Sequence, residues 1–200
     1  MINSQNYIEV PNEYSDLNTT LKTANKIMGD AVINAKTLFH TPVVSSFYND
    51  NVYSRVMVLR EYCFKDKFMR FHTDNRSEKI DIFRHNNSSN IIGYDPSYKI
   101  QIKFQGKITI HYNDEVTKNA WNESTSRSKK CYSVKDGSSQ KIKNPEDYDI
   151  KDFNVEEGYK NFAVLKFHFK NLEFLYLKSS GHRRAFHCFE DQTSSTWLIP

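Results

Sequence analysis

In "YKIQIKFQGKITIHY", residues 98–112, Ile100, Ile102 and Phe104 alternate with Gln101, Lys103 and Gln105. A period of two belongs to a strand with one face in a core and the other wet or functional, and a chain that repeats it must build a sheet. Further strands surround this one. "TPVVSSFY" (41–48), "YSRVMVLRE" (53–61) and "KFMRFHT" (67–73) read as strands, the first two joined by the turn-forming Asn49-Asp50-Asn51. "SNIIGYD" adds another, "NFAVLKFHFKNLEFLYLK" reads as a pair turning near Asn171, and "RRAFHCFE" and "STWLIP" finish the sheet.

Helical spacing occurs in fewer places. Between Ser15 and Leu38 the apolar positions Leu17, Leu21, Ala24, Ile27, Met28, Ala31, Ala35 and Leu38 line one face, with Ser15 or Asp16 as N-cap and a break expected near Gly29. "SEKIDIFRHN" from Ser77 is a short helix carrying Ile80 and Phe83, and "DEVTKNAW" (114–121) is another. Residues 122–147, rich in Ser, Lys and Asn, read as a mobile excursion. The expected fold class is mainly β: a closed or partly closed β-barrel with added helices, formed by residues 1–200 as one domain.

Composition narrows the setting. No apolar run is long enough to cross a bilayer, and "MINSQNYIEV" has neither a basic start nor an apolar core, so no membrane association and a cytoplasmic location are expected. Cys63, Cys131 and Cys188 are odd in number and far apart, which suits reduced thiols rather than a disulfide framework or a zinc site. The formal charge of +4 is mild for 200 residues and falls short of a nucleic-acid-binding surface, so local clusters have to carry the function.

The six glycines form neither G-x-G-x-x-G nor G-x-x-x-x-G-K, so a phosphate bound here must be held by side chains. Neither H-E-x-x-H nor G-x-S-x-G occurs, and the seven histidines are scattered. The stretch "SRVMVLREYCFKDKFMRFHTDNRSEKI" offers the needed groups. Arg55 can present two aligned donors, Lys79 a point charge, and Thr73 and Ser77 hydroxyls, with Ser77 placed to cap the following helix. Each is equally compatible with an ordinary surface or capping role.

"SRVMVLR", then "FMRFHTDNRSEKI", then "IQIKFQG" resembles, in order, the FMN-binding core of the pyridoxamine 5'-phosphate oxidase family over about 41–112. The resemblance implies an FMN-binding split barrel that forms a homodimer with two FMN sites at the interface. It implies that Arg55, Ser77 and Lys79 meet the FMN phosphate, that His72 and Thr73 line the ribityl chain and ring, and that Val56, Met57, Val58 and Leu59 run along the isoalloxazine. Gln101 would bond to the flavin site. "EFLYLKSSGHRRAFHCF" is similar to the closing strands that bring an aromatic and an arginine from the partner subunit, the arginine role falling to Arg184 or else Arg183, while Leu175 stands where the aromatic is expected. The family's substrate-gripping Arg-x-His is replaced by His182-Arg183-Arg184, and 122–147 holds no clear copy of its substrate-binding Tyr, Arg and Ser. Arg60 and Arg183 are the substitutes this sequence offers for a small-molecule substrate.

An FMN-dependent oxidoreductase is therefore the leading expectation, with a non-catalytic flavin carrier or sensor as the alternative. A nucleic-acid or phosphoprotein binder would use "SRSKKCYSVKDGSSQKIK" with Tyr132 for stacking, but Glu146, Asp147 and Asp149 follow closely and cancel its charge, so no nucleic-acid partner is expected.

Overall fold

The computed structural model describes residues 8–150, 154–190 and 192–200; the first seven residues of the N-terminal stretch read above lie outside them. Among the described residues nine strands form one antiparallel sheet: β1 (Val43–Tyr48), β2 (Asn51–Val56), β3 (Leu59–Cys63), β4 (Phe68–Asp74), β5 (Ser88–Asp95), β6 (Ile100–His111), β7 (Phe162–Tyr176), β8 (Arg183–Cys188) and β9 (Ser194–Leu198). Their order is β2-β1-β5-β6-β7-β4-β3, with β8 on β7 and β9 on β8. The two ends of that order, β2 and β3, are consecutive in the chain and separated only by residues 57–58. A sheet whose outer strands are joined by two residues has to curl on itself, and the expected mainly β barrel results.

The strand read over 53–61 is thus two. Met57 leaves the ladder, its N–H donating to the Pro42 carbonyl at 3.1 Å, and the chain crosses from one side of the barrel to the other. The turn ahead of β2 follows the sequence reading: Asn49 and Asp50 both have positive φ, 47° and 59°, as a two-residue hairpin turn requires.

The turn expected near Asn171 is absent. β7 runs unbroken for 15 residues. Its N-terminal half pairs with β4 and its C-terminal half with β8 along the same edge, while β6 spans the other edge. A register shift at Gln105/Gly106 lets the long strand bend, and Asn171 marks the change of partner. Residues 162–165 are buried on both faces, because the barrel core lies on one side and a second cluster of Ala120, Trp121, Phe162 and Val164 on the other.

Helix α1 (Leu17–Ile33) passes through Gly29 without a break. Gly29 is exposed, and burial of Ala24, Ile27, Met28 and Ala31 outweighs the ~1 kcal/mol penalty of one glycine. Asp16 caps it, accepting from the Thr19 N–H, and Leu38, expected on its apolar face, lies beyond it in a short 3₁₀ turn and is 52% exposed. Helix α2 (Glu78–His85) crosses to β1 and β6. Helix α3 (Glu115–Glu123) starts at a capping box on Asp114.

Residues 122–147, read as a mobile excursion, contain short helical elements. They hold α4 (Ser126–Lys130) and the start of a 3₁₀ turn at Pro145–Tyr148, and Arg76 donates to the carbonyls of Val134 and Lys135, both at 2.9 Å. Helix α5 (Val155–Asn161) had no signal in the sequence reading. No helix among the described residues is long and apolar enough to cross a membrane.

Candidate functional site

Arg55 stands opposite Val44 on the core side of β2. Its Nη1 donates to Ser46 Oγ at 2.9 Å and to the Val44 carbonyl at 3.3 Å, and its guanidinium lies 5.7 Å from the centre of the Phe83 ring on α2. Lys79, in the first turn of α2, shares this corner. Burial holds both cations below their usual pKa; for Lys79 the field of Arg55 lowers it further, against a raising pull from Asp74 and Glu78. Neither forms an ion pair with a described residue. Two half-buried like charges side by side repel one another, and an incoming anion relieves both.

The hydroxyls complete the corner. Thr73 and Ser77 are 5% and 1% exposed, their oxygens 3.4 Å apart. Ser77 occupies the N-cap position of α2 but makes no capping bond; its hydroxyl donates instead to the Asp74 carbonyl at 2.6 Å. The capping role read from the sequence is therefore corrected, and the first turn of α2 has no side-chain cap. Uncapped N–H groups beside two cations suit a phosphate.

From this corner the chain runs through Val56, Met57, Val58 and Leu59. Met57 and Leu59 are core residues, 7% and 0% exposed, so of the four only Val56 and Val58 turn their side chains outward. Beyond them Arg60 is the extra residue of a bulge between Leu59 and Glu61, opposite β4. Its Nε is buried without a hydrogen-bond partner, and so is Nε2 of His72. His72 and Thr73 point to opposite faces of β4. Thr73 joins the Arg55 corner, while His72 packs edge-on against Phe162 at 4.9 Å between ring centres. Burial, then Arg70 and Arg60, push the His72 pKa down to about 3, so its imidazole is neutral.

Tyr132 closes this side. Its ring packs on Phe162 and Trp121, and burial raises its pKa, with Arg60 pulling the other way. It is therefore not free to stack on a base. Sequence reasoning gave Tyr132 no place here, because the contact brings together residues far apart in the chain.

Gln101 lies in a row that crosses four strands: Tyr94, Gln101, Leu175 and Arg184 are successive register partners. Next to it Lys103 pairs with Glu173 at 2.8 Å, and Arg184 Nη1 lies 3.8 Å from the same carboxylate. Arg184 Nε is buried and unpartnered. Arg183 donates to the carbonyls of Gly181 and His182 in its own exposed turn, so one chain does not bring Arg183 to Arg60. Sequence reasoning gave Ser46, Phe83 and Glu173 no place at the site and put Lys103 only on the wet face of its strand; the tertiary arrangement sets them beside the named residues.

The fold is the split barrel seen in pyridoxamine 5'-phosphate oxidase-related proteins. Residues 34–112 match the family described as pyridoxamine 5'-phosphate oxidase, FMN-binding domain, a span that holds every expected cofactor residue except Arg184. Among solved structures, a pyridoxamine 5'-phosphate oxidase-related, FMN-binding protein from Nostoc punctiforme is similar at a TM-score of 0.72 and 18% identity, over 94% of this chain and 100% of that one. PhzG from Burkholderia lata, in complex with tetrahydrophenazine-1-carboxylic acid, matches at 0.68 and 14%, over 92% and 90%. A protein related to general stress protein 26 from Clostridium acetobutylicum matches at 0.52 and 10%, over 92% and 96%. No curated protein matches the sequence.

The residues present fit FMN. Arg55, Lys79 and the uncapped start of α2 suit its phosphate, and the orphaned Nε of Arg60, Nε2 of His72 and Nε of Arg184 are buried polar atoms that a polar ligand would satisfy.

Proposed function

We propose that the protein binds FMN and works as an FMN-dependent oxidoreductase on a small-molecule substrate, as a homodimer. The observation that carries this reading is the pair of adjacent half-buried cations, Arg55 and Lys79, with no ion-pair partner among the described residues, at the uncapped start of α2. In this reading Arg55, Ser77 and Lys79 hold the phosphate and Thr73 orders the Ser77 hydroxyl. Val56 and Val58 cover one side of the ring, and Gln101 bonds to its edge. A bound flavin supplies hydride-equivalent chemistry at N5, and the chain supplies orientation, a dry wall and local charge. His72 contributes a neutral ring and Arg60 a fixed positive charge to the substrate side.

Arg184 is assigned to the site of the neighbouring protomer. Supporting a second copy, the outer face of β1 and β2 exposes Phe47 (47%), Val52 (70%) and Val56 (62%), an apolar patch on which a protomer can close.

The test is the visible spectrum of the purified protein, with FMN identified after heat release. A colourless protein that also fails to take up added FMN defeats the reading. Turnover of an FMN-loaded protein separates an oxidoreductase from a flavin carrier. With His182-Arg183-Arg184 in place of Arg-x-His, pyridoxamine 5'-phosphate is expected to be oxidised with kcat/KM below roughly 10⁴ M⁻¹s⁻¹, the lower end of ordinary enzymes. Faster peroxide release with that substrate would show that Arg60 or Arg183 supplies the grip.

A further inference from the structure

Glu173 is 8% exposed although it lies on the outward face of the sheet, on the side away from the barrel core. Desolvating a carboxylate costs several kcal/mol unless cations and hydrogen bonds compensate it, and an apolar residue of similar size would serve packing at least as well. Here two cations attend one carboxylate. Lys103, its direct cross-strand partner, lies 2.8 Å away, and Arg184, on the diagonal from β8, lies 3.8 Å away. Lys103 takes the close contact and leaves Arg184 held but incompletely paired, its Nε buried without an acceptor. Arg184 also stands directly across from Leu175, which stands across from Gln101.

We infer that Glu173 is a positioning residue that aims Arg184 and sets the local charge at the neighbouring protomer's flavin site, to which Arg184 is assigned. This rests on the FMN reading above and adds to it an electrostatic control that no cofactor-contacting residue provides. Lys103, Glu173 and Arg184 together carry a net charge of +1. Reduction of a flavin adds negative charge, so its midpoint potential follows the charge beside it.

Three variants order that charge. Glu173→Gln leaves +2, Lys103→Met leaves 0, and the double variant restores +1. In FMN-loaded protein the potential should move positive in Glu173→Gln, negative in Lys103→Met, and return to that of the unsubstituted protein in the double variant. If Glu173→Gln fails to fold, the other two still decide, since Lys103→Met must shift the potential and the added Glu173→Gln must reverse it. Potentials that ignore this order overturn the inference while leaving FMN binding intact.

A second readout needs no flavin. In cofactor-free protein, modification of Arg184 by phenylglyoxal, mapped by mass spectrometry, should speed up several-fold in Glu173→Gln, because the ion pair with the carboxylate holds the guanidinium in place and shields it from the reagent. Arg183, bonded only within its own turn, should react at an unchanged rate and serves as the internal reference. An unchanged Arg184 rate overturns the positioning role whether or not the protein binds FMN.

Discussion

Arg55 and Lys79 are ordinary surface cations by sequence and an unrelieved like-charge pair by position. Replacing either with alanine should weaken FMN binding by about 1.5–3 kcal/mol, the range for a charge-assisted hydrogen bond. Riboflavin should bind far more weakly than FMN. Fluorescence titration measures both, and equal affinities would remove the phosphate from this corner. His72 acts through its proton. Its folded pKa near 3 lies below the unfolded value near 6.5, so between those limits the unfolded chain binds more protons and stability rises with pH. His72 should therefore contribute fully above about pH 6.5, with its contribution falling by up to about 1.4 kcal/mol per pH unit on acidification toward 3. His168 and His187 are lowered by burial as well and act in the same direction. The His72 share is the difference between wild type and His72→Phe in urea unfolding at pH 7 and pH 5, and equal slopes would show that His72 is protonated in the fold.

Helices and strands placed by pattern mostly formed, and the departures share a cause. α1 survives Gly29 because its buried face is long, and β7 survives Asn171 because three neighbouring strands hold it. Gly106 makes that second outcome possible. A Cβ there would sit 2.1 Å from the His168 carbonyl oxygen, where the β6–β7 register shifts, so backbone has to move to admit one. Gly106→Ala should cost about 1–3 kcal/mol of stability, as overpacking does, measured as a lower urea midpoint at unchanged slope. An unshifted midpoint would mean that the bulge is soft. The helices of residues 122–161 show the opposite case. Their sequence is polar and aperiodic, and they are placed by long-range anchors: Arg76 on the Val134 and Lys135 carbonyls, and Trp121 and Tyr132 on Phe162.

For the whole molecule, the apolar patch of Phe47, Val52 and Val56 argues for a homodimer that persists at micromolar concentration. Light scattering should give twice the 23.6 kDa chain mass, and a monomer with FMN bound would end the shared-site reading. Alternation of Ile100, Ile102 and Phe104 with Gln101, Lys103 and Gln105 was enough to specify a one-sided antiparallel sheet, since side-chain period is a local property of the strand. The order Arg55, Thr73, Ser77, Lys79 was likewise legible, because α2 follows β4 after a short turn and keeps the last three close in the chain. Other relations depended on which strands pair. The join of β2 to β3 that curls the sheet, the choice of Thr73 rather than His72 to face the core, and the meeting of Lys103, Glu173 and Arg184 from β6, β7 and β8 all follow from register and closure. Register is decided by the packing of the whole barrel, where the pairing of β7 with β4, β6 and β8 outweighs any local turn preference, so only the tertiary structure could settle it.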